Sequence, residues 1–266
     1  MRSGHCKLCL IRKPLQKSHY YPRALYKALR DMGEQNPNHT LLSDTTLVRK
    51  SQHIADYVLC QDCEQLFNQR GESWVARNAY TGKSFRLQQS ILAATPVSSA
   101  DDPRMIAYAG AEIPEVDMNR LVYFGISLFW RASVHKWWLL DALIHSPLGP
   151  HEEMLRRYLL LGEPLDNRVT INVFISPHQR PWPSFSTLPL QTAEGVTIAR
   201  TFLAGITFEL RMGNVTPADL EWCSYHSARR YIFSSTTMDD VNAYRTMQAY
   251  LKQSGLDRKW SLKLVT

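Results

Sequence analysis

Two Cys-x-x-Cys pairs limit what this chain can fold into. Cys6 and Cys9 form the first pair and Cys60 and Cys63 the second, with 50 residues between them. In a reducing compartment two such pairs read as one tetrahedral zinc site with four thiolate ligands. Two intervening residues allow a tight knuckle turn, so both sulfurs of a pair can reach one ion at about 2.3 Å. A redox role is the competing reading, but redox Cys-x-x-Cys motifs come singly and in a βαβ context. A closed four-thiolate site is structural and supplies folding energy to a region that lacks a large core of its own. Cys223 has no sequence partner and is expected to be a buried or idle thiol.

Charge points to the same end of the chain. The net charge is +7. Residues 1–86 hold 14 Lys/Arg against 7 Asp/Glu, whereas residues 87–266 hold 17 of each. A localised positive field favours polyanionic partners, with a merely solvated basic surface as the bland alternative. The longest uncharged apolar run, Leu121–Trp130, has ten residues. That is half of what a membrane span needs, about 20. The first 20 residues are basic without an apolar core, so a secretory signal is not expected and a cytoplasmic location is.

The chain length allows one large domain or two modest ones. Residues 54–59 read as a short strand delivering the second Cys pair. A helix is expected from Asp62 toward Tyr80, with Gly71 as its weak point. Residues 31–45 and the proline-rich 177–191 read as loops. Residues 91–118, rich in Pro, Ser and Asp, read as a linker. From Leu121 to Ile144 the pattern is helical and strongly apolar. Its aromatic stripe, with Trp130, Trp137 and Trp138, reads as core. Arg131 in that helix requires a partner, for which Asp141 and Glu112 are the candidates. A helix follows Pro150. Residues 168–175 and 196–211 alternate as strands, and a last helix is expected after Thr237. The expected fold class is therefore α+β. It comprises an N-terminal zinc-bound module over residues 1–90 and, over 119–266, an α+β domain with apolar helices and an antiparallel sheet.

Between the two Cys pairs stands Ser18-His19-Tyr20-Tyr21-Pro22, and the second pair sits in Leu59-Cys60-Gln61-Asp62-Cys63-Glu64. Glu64, Asn68 and Glu72 recur every four residues, near one face of the expected helix. A histidine facing such a helix could serve as a general base beside a divalent metal. This order resembles the zinc-containing HNH endonucleases, a ββα-metal or His-Me finger fold on a treble-clef zinc scaffold. The variant group with S-H-x-x-P, L-C-x-x-C-E and a later W-R pair, here Trp130-Arg131, is the nearer likeness, and it covers about residues 1–75. The resemblance implies metal-dependent hydrolysis of phosphodiester bonds in DNA, or in RNA. It implies His19 as general base and Cys6, Cys9, Cys60 and Cys63 as structural zinc ligands.

Three positions depart from the family pattern, one of them Glu64, which stands just after the second pair where Asn or His is usual. Ser18 stands where an aspartate ligand is usual, and Ala55 falls near the usual base-orienting Asn, a place that Asp56 or His53 could take. Glu64, with Asn68 or Glu72, is then the candidate for a catalytic Mg²⁺ or Mn²⁺. The basic residues Lys7, Arg12, Lys13, Lys17, Arg23, Lys27 and Arg30 are the candidates for phosphate contact. Two alternatives stay open. One is a non-catalytic zinc module that binds nucleic acid or protein. The other is an interaction protein whose C-terminal part docks a partner.

Overall fold

The computed structural model describes residues 2–25, 39–42, 47–50, 54–81, 84–99, 105–139, 142–177, 185–187, 190–191 and 195–235. The expected helix after Thr237, His53, Lys27 and Arg30 lie outside these residues.

The N-terminal region opens with β1 (Arg2–His5) and β2 (Arg12–His19), then β3 (His39–Leu42), β4 (Leu47–Lys50) and β5 (Ala55–Cys60). A helical stretch follows: α1 (Gln61–Phe67), a π turn over Asn68–Glu72, and α2 (Ser73–Asn78). Next come α3 (Arg86–Ala93), β6 (Ser98–Ser99), β7 (Met105–Ala109) and the long α4 (Met118–Val134). The chain continues through β8 (Trp137–Leu139), β9 (Ala142–Ile144), α5 (His151–Leu161), β10 (Val169–Ile175), β11 (Phe185–Thr187) and β12 (Leu190–Gln191). It closes with β13 (Val196–Leu203), β14 (Ile206–Gly213), α6 (Pro217–Glu221) and β15 (Tyr231–Ser235).

The protein is mixed α+β. A small antiparallel sheet has the order β1-β2-β5. The large sheet runs β4-β3-β11-β13-β14-β10-β15-β7-β6 and is antiparallel except at the β10–β15 and β11–β3 pairs. Residues 31–45, expected to be loop, thus include a strand. The hairpin β3–β4, inserted between β2 and β5, joins the edge of the large sheet. The stretch expected to be a linker over 91–118 also carries structure, because β7 pairs with β15 and ends in buried Ala107, Tyr108 and Ala109. One apolar cluster reaches from Cys6 through Phe67 and Trp130 to Ile232.

Helix α4 is the spine of that cluster. It is apolar on nearly all sides, as a helix buried all round must be, and Asp117 caps it by accepting from the Arg120 N–H at 3.0 Å. Two glycines let its neighbours close in. A Cβ on Gly71, in the π turn, would lie 3.0 Å from the Arg120 carbonyl oxygen on one side of α4. A Cβ on Gly125 would lie 2.8 Å from Ile171 Cδ1 and press into the Phe208 ring, so here the helix rests on the sheet. Gly125→Ala is therefore expected to destabilise the protein by about 1–2 kcal/mol, overpacking outweighing the gain in helix propensity. A thermal melt unchanged or raised would show that the two layers can yield.

The helical pattern predicted to continue to Ile144 stops at Val134. His135 is extended, with φ −142°, and β8 pairs with β9. The hairpin closes the helix end. Trp137 Nε1 donates to the Arg131 carbonyl at 2.8 Å, the Ser146 N–H donates to that of Ala132 at 2.9 Å, and His145 Nε2 lies 2.9 Å from that of Ser133. These are the carbonyls a helix C-terminus leaves without partners. Short apolar runs do not separate helix from strand by period, so the sequence pattern does not mark this boundary.

Candidate functional site

The small sheet brings the two Cys pairs together. Cys6 and Cys9 lie on the turn between β1 and β2, held by the Cys6 N–H donating to Ile11 O at 3.0 Å and the Leu10 N–H to Cys6 O at 2.9 Å. Cys60 ends β5 opposite Leu15 of β2, and Cys63 follows in the first turn of α1. The four sulfurs lie within 4.8 Å of one another, and Cys9 Sγ is 3.9 Å from Cys60 Sγ. Thiolates around one zinc at 2.3 Å stand about 3.8 Å apart, so the donor set and its spacing fit structural zinc. The thiols cannot all ionise side by side without a cation. A hydrogen bond from Cys63 draws the Cys6 thiol down to about 4, while the bond to Cys6 holds Cys63 up and burial raises Cys60. Arg156 of α5 donates to the Leu8 carbonyl at 2.7 Å and ties the knuckle to the rest of the protein.

Beside this cluster lies a cavity of about 370 Å³. Its walls are His19 with Pro22, Arg23 and Ala24, the α1 to α2 face with Glu64, Gln65, Asn68, Glu72, Ser73 and Ala76, and Arg131. The structure thus brings His19, Glu64, Asn68 and Glu72 into one place. His19 is the last residue of β2, paired with Ala55 of β5. Along an α-helix, positions four apart drift by about 40° per step. The wider π turn over Asn68–Glu72 takes that drift back and returns Glu72 to the side of Glu64. Such π turns recur at functional sites.

The acidic groups differ in their engagement. Glu72 accepts from Arg131 Nη2. The Arg131 side chain is 2% exposed and that of Glu72 12%. Burial raises the Glu72 carboxyl against the pull of Arg131. Burial alone would lower Arg131, but Glu72 and Glu64 together hold it up. The expected partner Asp141 lies outside the described residues, and Glu72 stands in the place expected for Glu112. Asn68 Oδ1 accepts from Ser73 Oγ at 2.5 Å. Glu64 Oε1 is buried and, among the described residues, has no hydrogen-bond donor. Ser18 is buried, and its Oγ accepts from the Leu59 N–H at 3.1 Å, so it braces the two strands.

Asp56, a candidate for orienting His19, instead meets His135 Nε2 at 2.9 Å. The sequence marks Arg131 as needing a partner but does not place it in the cavity wall. A cation set among apolar residues of the helix is the signal that points there. Of the basic candidates, Lys7, Arg12, Lys17 and Arg23 are exposed and Arg23 borders the cavity. Lys13 is paired with Asp62 at 2.7 Å. No helix among the described residues is long and apolar enough to cross a membrane.

No family model, curated protein or solved structure matches this chain.

Proposed function

We propose that the protein is a metal-dependent endonuclease of HNH type that hydrolyses phosphodiester bonds in DNA, with RNA as the second substrate to test. The observation that carries this reading is the shared cavity. A histidine at a strand end faces a helix whose Glu64 presents a buried carboxylate oxygen with no donor among the described residues. A carboxylate oxygen so placed calls for a cation or a proton. Glu64 and Asn68 are hard oxygen donors that would hold Mg²⁺ or Mn²⁺. Glu72, bound to Arg131, is the weaker candidate. When bound, the ion supplies Lewis-acid stabilisation of charge on the phosphate and leaving oxygens. His19 takes a proton from water as the water oxygen bonds to phosphorus and the bond to the leaving oxygen breaks. Antiparallel β2 and β5 followed by α1 match the strand-strand-helix order of the ββα-metal fold, and the basic surface residues suit phosphate backbones.

The test is nicking of supercoiled plasmid with added Mg²⁺ or Mn²⁺ against none, zinc content being checked throughout. His19→Ala and Glu64→Gln are each expected to slow metal-dependent nicking by at least about 100-fold. Undiminished cleavage by His19→Ala would overturn the mechanism.

A second reading, a zinc-stabilised module that binds nucleic acid without cleaving it, is favoured by two residues. Ser18 is occupied in the sheet, and Ala55 offers His19 no orienting side chain. That reading expects salt-sensitive DNA binding and no product with either metal.

A further inference from the structure

Arg131 reaches the cavity from α4, 59 residues after Glu72 in the sequence. Its guanidinium carbon sits 4.6 Å from the Phe67 ring centroid, and Nη2 is held by Glu72. Nε and Nη1 are buried and, among the described residues, donate to nothing. A buried guanidinium with two undirected nitrogens is costly unless an acceptor arrives. Its planar fork suits phosphate oxygens, and packing on Phe67 fixes the orientation in advance.

We propose that Arg131 is the oxyanion-contacting residue of this cavity, donating from Nε or Nη1 to a non-bridging oxygen of a phosphodiester. Charge then dictates an order. Glu64 and Glu72 against Arg131 and Arg23, which also borders the cavity, leave the lining with no net positive charge to hold an anion. A divalent cation at Glu64 makes it positive. Metal therefore binds first and the phosphodiester second. The inference deepens the endonuclease reading and rests on it for the class of ligand.

The test is calorimetric, so it does not depend on turnover. The probe is a thymidine dinucleotide with a phosphorothioate linkage, titrated into the full chain with and without Mn²⁺. Wild type is expected to bind it measurably only with Mn²⁺, and a neutral methylphosphonate analogue is expected to fail. Arg131→Lys is expected to weaken the phosphorothioate at least about tenfold, with Mn²⁺ affinity held within about threefold. The variant Glu72→Gln/Arg131→Gln, which leaves no lone buried charge, guards against misfolding and is expected to lose dinucleotide affinity as well, its zinc content and melt being checked. The assignment is overturned if wild type does not bind the dinucleotide in Mn²⁺, or if both variants bind it as wild type does. Wild type that binds through Arg131 but never nicks plasmid would sink the endonuclease reading and support the assignment.

Discussion

Cys63→Ser is expected to abolish stoichiometric zinc binding and to unfold at least the first 80 residues. Wild type should carry one zinc per chain by native mass spectrometry, and the variant none. Zinc held by four thiolates contributes on the order of 10 kcal/mol to the folding of small metal domains. That is comparable to the whole stability of an ordinary protein, about 5–15 kcal/mol. The elements it fastens have little else of their own. β1 has four residues and is mostly exposed. The knuckle is tied elsewhere by the Lys7 N–H donating to Val58 O at 3.1 Å and by Arg156. Yet Cys6, Cys60 and Cys63 belong to the same buried cluster as Leu8, Leu15 and Phe67. Opening the cluster therefore exposes the floor beneath α1 and displaces Glu64. Hydrogen exchange should show lost protection across β1, β2, β5 and α1 first. A variant free of zinc with an unchanged melt and unchanged exchange would show that the cluster folds on apolar contacts alone.

The four cysteines are legible in the sequence because their chemistry is local. Two residues between thiolates, and two such pairs per chain, have few other uses. The strands at 54–59, 168–175 and 196–211 are legible from their residue pattern, since each buries one or both faces. The cavity is legible in part. His19, Glu64, Asn68 and Glu72 follow from motif order and four-residue spacing, both local properties. The partner of Arg131 is not legible, because it lies 59 residues away in sequence and only packing of α4 on the π turn brings it near. The π turn itself has no signature beyond Gly71, whose missing side chain admits the α4 backbone. Likewise β3 and β4 join a sheet formed mainly by later residues, a pairing that no local pattern encodes.

The pair at the cavity wall yields the second large effect. Glu72→Ala is expected to destabilise the protein by about 3–5 kcal/mol, because it strands the guanidinium of Arg131 in the core. For a chain of this size the melting temperature should fall by roughly 6–20 °C. Removing both charges should cost much less. Glu72→Leu/Arg131→Met keeps volume and leaves nothing buried unpaired, so it is expected to lie within about 2 kcal/mol of wild type, well above Glu72→Ala. With Glu72→Leu and Arg131→Met as the single variants, the double-mutant cycle then reports strong coupling between two residues whose separate losses do not add. Glu64 sets the size of the effect. Its Oε1 has no donor among the described residues and its charge already acts on Arg131, so in Glu72→Ala it is the carboxylate able to turn toward the guanidinium. If it does so, Glu72→Ala loses less stability and Mn²⁺ binding falls with it. Adding Glu64→Gln to Glu72→Ala should then restore the full penalty. A Glu72→Ala protein as stable as wild type with its Mn²⁺ affinity intact would mean that Arg131 is stabilised by something other than these two carboxylates. The same experiment therefore measures what holds the cation in the wall and whether Glu64 is free to hold a metal.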